Sequence, residues 1–439
     1  MNIPTNVIDT VAQGHKRDAR VVSFSVEDGT EPGDNFMSVM YRVRIDITTL
    51  ELNDKRILEE EAETLHVMLK CLPCDPLCTA IVEDSNSFEK ELGMYTRIFQ
   101  AMIAFQESKG LMESEIFKGW PHLYAADDGN DFKFLAMQDL QFLGFKMMER
   151  SSMLDLLHTR AVLKGLASFH ALSFAMFHGD YDLILSGYPF LKEMMFRPTL
   201  EVTTSQQSFV QMAFSSVSSI LRDAGEVDAA EAWENLNEEL NYFERMHNLV
   251  GSKVKNAVIG FGDCWKNNIL FSYDSQGNLK ESSVKFVDFQ LARVCCRAID
   301  VGYFLYTSVE IDILNENEEQ ILRFYHEEFK SFLRKLGFNP KQFGLTWKKF
   351  LKEYQDYRLY GVMLGLMLSP ALYPDTNDLN GLNGRFDNTN ENVICTKEEE
   401  VICTTDTAEM GKGLQHSVIT ERIRLIATKH LSLCEMQMI

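Results

Sequence analysis

The sequence has no apolar run long enough to cross a membrane. Its first residues, MNIPTNVIDTVAQGHKRD, lack the apolar core of an export signal. Export is therefore not expected, and the cytoplasm is the expected compartment. There is no block of Lys or Arg either. With 43 basic against 64 acidic residues the net charge is −21. Such a chain repels nucleic acid and anionic membrane, so neither is an expected partner. The nine cysteines lack any regular spacing: they are odd in number and scattered, with only Cys295 and Cys296 adjacent. A secreted disulfide framework does not look like this, and reduced thiols are expected. Cys71, Cys74 and Cys78 cluster, but no fourth ligand lies nearby, so they read as buried thiols and not as a zinc site.

What is present is ample apolar material: 45% of 439 residues, enough for a sizeable core in one to three domains. The stretch 259–288 reads IGFGDCWKNNILFSYDSQGNLKESSVKFVD and organises the rest. Asp263 is followed five residues later by Asn268, then by the apolar Ile269, Leu270 and Phe271. Asp274, Ser275, Gln276, Gly277 and Asn278 are turn residues, and Val284, Phe286 and Val287 lead into Asp288. This pattern predicts a loop, a strand, a hairpin turn and a returning strand. Asp263, Asn268 and Asp288 then meet at one end of the hairpin. Two carboxylates and an amide converging in a cleft suit a divalent metal that carries phosphates, because such ions take a few hard oxygen ligands. Asp263 remains free to orient or deprotonate a hydroxyl. As plain structural residues, Asp263 and Asn268 are turn formers and Asp288 a loop cap.

The stretch resembles the active site of the aminoglycoside and choline kinases. It resembles more closely the insect ecdysteroid kinase-like family, which carries a Gly-Asp-x-Trp-x-x-Asn loop and a Val-Asp-Phe-Gln strand end. Gly262, Asp263, Trp265 and Asn268 match the first, and Val287, Asp288, Phe289 and Gln290 the second. The resemblance runs over residues 33–372 and is strongest at 262–300. It implies an α+β, bilobal, protein-kinase-like fold: a small antiparallel-sheet lobe over 1–140 and a large, mostly helical lobe over 141–439. ATP sits between them, and its γ-phosphoryl group passes to a hydroxyl of a small molecule, an ecdysteroid-like or foreign alcohol. Asp263 is the implied base or orienting group, and Asn268 and Asp288 the implied magnesium ligands. One departure stands out. The family places His before Gly262, where it braces the loop; here Phe261 stands there. The alternative is therefore a catalytically weakened, pseudokinase-like protein that binds nucleotide or ligand. A protein kinase is disfavoured by the missing multi-glycine loop and the missing Ala-Pro-Glu segment after Asp288.

Upstream, residues 2–13 give a weak helix signal. Segments 19–27 and 36–47 alternate as strands around the turn Glu31-Pro32-Gly33-Asp34-Asn35. In the family this hairpin covers the nucleotide phosphates, which implies that the amides of Asp34 and Asn35 face them; on its own it reads equally as a plain turn. Segment 63–72 is a third strand, with Leu65, Val67 and Leu69 on one face and Met68 and Lys70 on the other. Alone, Lys70 reads as a snorkelling lysine. The next helix carries Phe88, Leu92, Tyr95, Phe99 and Met102 in one stripe, with Glu91 at its edge. Phe88-Glu89-Lys90-Glu91 with Met94-Tyr95 resembles the family's helix, which implies a Lys70–Glu91 pair that holds the α- and β-phosphates; Glu89 as the partner, or no pair at all, is the alternative. Residues 120–124 read as an ordered loop and 132–137 as a fourth strand. Gln138-Asp139-Leu140 then corresponds to the family hinge, which implies adenine contacts from the backbone of Gln138 and Leu140. The family usually has Glu at Gln138.

Beyond Ser152 the chain reads as helical. His170, in a segment similar to the family's Leu-Ala-x-x-His-Ala, reads as a structural hydrogen-bonder. Residues 186–197 read as irregular. Further helices are expected over 205–224, 229–249, 301–308, 321–336, 350–368 and 417–433, and a long surface loop over 375–413. Lys266 either steadies the transferring group or faces solvent. Trp265 packs the loop or walls the acceptor site. Asp300 fits a helix cap or a brace for the catalytic loop. The acceptor and the oligomeric state are not legible.

Overall fold

Alternating residues in the first third of the chain form strands, and the apolar face of the second and third packs against the N-terminal helix. The computed structural model describes residues 3–29, 38–52, 58–73, 76–129, 132–149, 152–197, 204–238, 242–369, 414–431 and 434. The turn holding Asp34 and Asn35 and the 375–413 segment lie outside them. Helix α1 (Thr5–His15) buries Val7, Ile8, Val11 and Ala12. Strands β1 (Arg20–Asp28), β2 (Val39–Leu52) and β3 (Leu58–Cys71) follow. Val43, Ile45 and Ile47 of β2 pack with Leu65, Val67 and Leu69 of β3 and with α1 in one apolar cluster. The period of two thus places Lys70 on the opposite face of β3.

Helix α2 (Pro76–Ser85) leads to α3 (Ser87–Gly93), a π-turn (Met94–Ile98) and α4 (Phe99–Ser108). The predicted single helix is therefore widened midway, where the Phe99 amide reaches back to Met94 O. Such turns gather at functional sites, and this one begins three residues after Glu91. Strands β4 (Leu123–Asp127) and β5 (Phe134–Gln138) complete a five-stranded antiparallel sheet of order β1-β2-β3-β5-β4. Residues 120–124 are thus not all loop: Leu123 and Tyr124 open the edge strand β4. Its residues are all half-buried until the exposed Asp127, so no alternation marks them in the sequence.

The larger part of the chain is mostly helical. It contains β6 (Phe145–Met147), α5 (Leu156–Phe177), α6 (Tyr181–Gly187), α7 (Thr204–Asp223), α8 (Val227–Glu238), α9 (Tyr242–Val250) and β7 (Ala257–Gly260). Then come β8 (Ile269–Tyr273), β9 (Leu279–Phe286), β10 (Arg293–Cys296), α10 (Arg297–Ser308), α11 (Ile311–Lys335), α12 (Trp347–Leu368) and α13 (Leu414–Leu425), which ends in a π-turn (Ile426–Leu431). Among the described residues no helix is long and apolar enough to cross a membrane. The fold is α+β, an N-terminal antiparallel sheet followed by a large helical part, as the resemblance implies. The expected helix over 229–249 is two helices. Helix α10 begins at Arg297 and so contains Asp300 in its first turn. Helix α11 begins ten residues earlier than expected, because its first turns are polar.

Candidate active site

The loop between β7 and β8 is set by its backbone. Gly262 has φ +89°, and a Cβ there would lie 2.0 Å from Leu291 O, so only glycine fits. The buried carboxylate of Asp300 accepts the amides of Phe261 at 2.6 Å and Gly262 at 3.0 Å. His170 Nε2 lies 3.0 Å from Asp300, and His170 Nδ1 lies 2.7 Å from Tyr325 Oη. Burial works against the Asp300 carboxylate, but His170 and the two amides outweigh it and hold its pKa below the usual range. Asp300 is thus the brace of the loop and not a helix cap, and His170 holds Asp300. Arg293, paired with Glu193 at 2.7 Å, donates to Gly262 O at 3.0 Å.

The hairpin forms between β8 and β9, with Ile269 opposite Phe286. The Val287 amide donates to Asn268 O at 3.0 Å, which ties the strand end to the loop. Asn268 Nδ2 donates to Asp263 Oδ2 at 2.9 Å and to Asp263 O at 3.1 Å. Asp288 follows at φ 67°, in the left-handed region that a non-glycine residue rarely adopts.

The other half of the site comes from the N-terminal sheet. Lys70 Nζ lies 2.5 Å from Glu91 Oε2 and 2.9 Å from Asp288 Oδ1. Glu91 Oε1 also accepts the Phe289 amide at 3.3 Å. Lys70 and Glu91 are buried, while Asp288 keeps 23% of its side chain exposed. Burial disfavours the Lys70 ammonium, yet Asp288 and Glu91 more than compensate and raise its pKa above the ordinary lysine value. Asp263 behaves oppositely. Burial and the charge of Asp288 push it up to about 6, against the hydrogen bonds from Tyr303 and Asn268. The structure thus brings Lys70, Glu91, Asp263, Asn268 and Asp288 together.

The Lys70 ammonium meets two carboxylates, Glu91 and Asp288, and a third, Asp263, lies near enough to Asp288 to feel its charge, opposed in part by Arg293. The uncompensated negative charge and the hard oxygens fit a divalent cation. Asn268 uses its amide nitrogen on Asp263, and its Oδ1 meets no donor among the described residues. Asp288 uses Oδ1 on Lys70, and its Oδ2 likewise meets none. Two oxygens from a loop and a strand end are therefore available to such an ion.

At the end of β5, the Gln138 amide donates to His122 O at 2.8 Å and the Asp139 amide to His66 O at 3.0 Å. The Gln138 amide is thus taken by the residue just before β4 and is not free for a base edge. The Leu140 amide meets no acceptor among the described residues, while its carbonyl accepts from Leu143 and Phe145. Arg42 ties the segment to the sheet through Asp139 at 2.7 Å and Gln141 at 2.8 Å. Lys266 fits neither reading of the sequence: it is buried, and its Nζ donates to Ser152 O at 3.0 Å. Trp265 packs partly buried against the core. Sequence reasoning misses Tyr303, whose Oη lies 2.6 Å from Asp263 Oδ1. The available signal is its position three residues after Asp300, on the same helix face.

The fold and this constellation define a kinase-like protein. The model of the ecdysteroid kinase-like family matches residues 32–338, and the chain belongs to that family. Membership supports a small-molecule kinase in general terms. Among solved structures, a choline/ethanolamine kinase family protein from Mesorhizobium loti is similar over 96% of this chain and 99% of its own, at 10% identity and a TM-score of 0.30. No curated protein matches.

Proposed function

We propose that the protein is an ATP-dependent kinase that phosphorylates a hydroxyl of a small, lipophilic alcohol, ecdysteroid-like or foreign, in the cytoplasm. The observation that carries this is the joined network: Lys70 between Glu91 and Asp288, with Asn268 and Asp263 beside them. In this reading the sheet lobe spans 1–140 and the helical lobe 141–439, with the nucleotide between them. Lys70, oriented by Glu91, holds the α- and β-phosphates. Asn268 and Asp288 hold magnesium, which when bound supplies charge neutralisation at the phosphates. The hinge donor for adenine is the Leu140 amide, not that of Gln138. The family resemblance alone assigns the amides of Asp34 and Asn35 to the phosphates. Asp263 accepts the proton of the acceptor hydroxyl as that oxygen bonds to the γ-phosphorus, the bond to the bridging oxygen breaks and ADP leaves.

The test is ADP release from magnesium ATP across a panel of sterol alcohols, ecdysone among them, with Asp263→Asn as control. Turnover in the wild type and its loss in the variant are expected. Equal turnover in both removes Asp263 from the mechanism. Phe261 is the feature that favours the second reading, a binding protein without turnover. Its signature in the same experiment is a bound ATP analogue with no ADP released in either protein.

A further inference from the structure

We propose that Tyr303 is the positioning residue of Asp263, holding its carboxylate in the one orientation that receives the acceptor alcohol. The proposal rests on the kinase reading above. Each Asp263 oxygen is held by a different donor from a different element: Oδ1 by Tyr303 of α10 at 2.6 Å, and Oδ2 by Asn268 of the loop at 2.9 Å. One anchor leaves a carboxylate free to turn about its broad terminal torsion; two anchors on two oxygens fix its plane. The 2.6 Å separation lies in the short range of O–H···O⁻ bonds, which are stronger than neutral ones. Burial and the neighbouring carboxylate keep the phenol protonated, so Tyr303 is the donor. The lone pairs left over are those a substrate hydroxyl can reach.

Tyr303 is itself firmly placed. It is buried, and it sits one turn beyond Asp300, which holds the amides of the two residues before Asp263. Helix α10 therefore grips the loop twice, by backbone through Asp300 and by side chain through Tyr303. At the far end of the helix, Arg422 of α13 donates to Tyr306 O at 2.6 Å and to Val309 O at 2.8 Å. The next tyrosine of α10 offers a contrast. The Tyr306 hydroxyl is satisfied by core partners, Arg358 at 2.8 Å and His430 at 3.0 Å. Among the described residues, the Tyr303 hydroxyl has Asp263 alone.

The experiment is a double-mutant cycle on ADP release from magnesium ATP, with ecdysone and with water as acceptor. Tyr303→Phe deletes one oxygen and keeps the ring. It is expected to lower kcat by about 10- to 100-fold, the worth of one hydrogen bond to a charged group. The KM for ATP should stay within about twofold and unfolding should stay cooperative, because Tyr303 acts only through Asp263. In an Asp263→Asn background Tyr303→Phe should cost nothing further, since the group it positions is gone. Three results overturn the proposal: Tyr303→Phe turning over like the wild type, its loss multiplying with that of Asp263→Asn, or a loss accompanied by non-cooperative unfolding. Asp263→Asn with full turnover instead sinks the kinase reading itself.

Discussion

Phe261 and Phe289 meet edge to face, with ring centroids 4.7 Å apart and planes inclined at 78°. Phe289 in turn meets Phe99 at 4.8 Å and Tyr95 at 6.1 Å. An aromatic column therefore runs from the helix that carries Glu91, through the residue after Asp288, to the residue before Gly262. The family places a polar His at this last position. Here the polar work falls to Asp300, which takes the loop amides directly, and position 261 is given to packing.

Phe261→Ala should therefore cost about 3–5 kcal/mol of stability, from lost burial and the cavity left behind. Phe261→His, which restores the family residue, should also destabilise, by about 1–3 kcal/mol, because it puts imidazole nitrogens among rings. It should not raise kcat. Urea denaturation and turnover on the same preparations check both. A Phe261→His protein that is more stable and faster than the wild type would show that the loop lacks a brace.

Lys70 is the only cation in contact with both Glu91 and Asp288 among the described residues. Lys70→Met leaves two carboxylates facing each other with nothing between them. Removing one partner of a buried pair costs about 3–5 kcal/mol, and the partial exposure of Asp288 puts the loss near the lower end. Glu91→Gln added to Lys70→Met should recover part of it by removing one stranded charge. The measurement is the urea midpoint of the three proteins. A double variant less stable than Lys70→Met would mean that Glu91 does not carry the penalty.

The sequence makes the hairpin and the Lys70–Glu91 pair legible for different reasons. The hairpin shows because apolar runs are punctuated by turn residues at short range. The pair shows only when the family resemblance is added, because strand parity and helical spacing place Lys70 and Glu91 on faces but do not by themselves bring the two together. Tyr303 does not show, because a tyrosine in an apolar helix reads as core until tertiary approach brings it to Asp263. Lys266 does not show, because its acceptor, Ser152 O, lies 114 residues away. Strands β7 and β10, four residues each, are too short to display a period, and they find each other only in the fold.

Helices α10 and α12 touch backbone to backbone. A Cβ at Gly361 would lie 2.4 Å from both the carbonyl carbon and the oxygen of Gly302. Backbone cannot swing aside as a side chain can, so Gly361→Ala must push α10 away. Overpacking of this kind costs about 1–3 kcal/mol. Because α10 holds the loop through Asp300 and Tyr303, turnover should fall as well, at temperatures where the variant is still folded. Circular dichroism melting paired with ADP release checks this. A variant that loses stability and keeps full kcat would uncouple α10 from the site.

His326 is buried between α11 and α12, stacked on Phe350 at 5.3 Å and 10°, and neither ring nitrogen has a partner among the described residues. Burial, helped by the charge of Arg297, pushes its pKa down to about 3 from an ordinary 6.5. His430 shifts in the same direction, to about 3, chiefly through burial and then through Arg358. Both are neutral in the folded protein at pH 5, whereas the unfolded chain binds protons below about pH 6.5. Stability contributed by neutral histidine is therefore complete above pH 6.5 and is lost as pH falls toward about 3. His326→Phe removes one of these two sites and supplies a ring that needs no partner. It should stabilise the protein by about 1 kcal/mol at pH 7, by relieving an unmet N–H. The gain should widen as pH is lowered from 6.5 to 4. Urea denaturation of both proteins across that range isolates the histidine, because carboxylate titrations are common to the two and cancel in the difference. A gain that does not grow with acidity would mean that position 326 is open to water in the folded state.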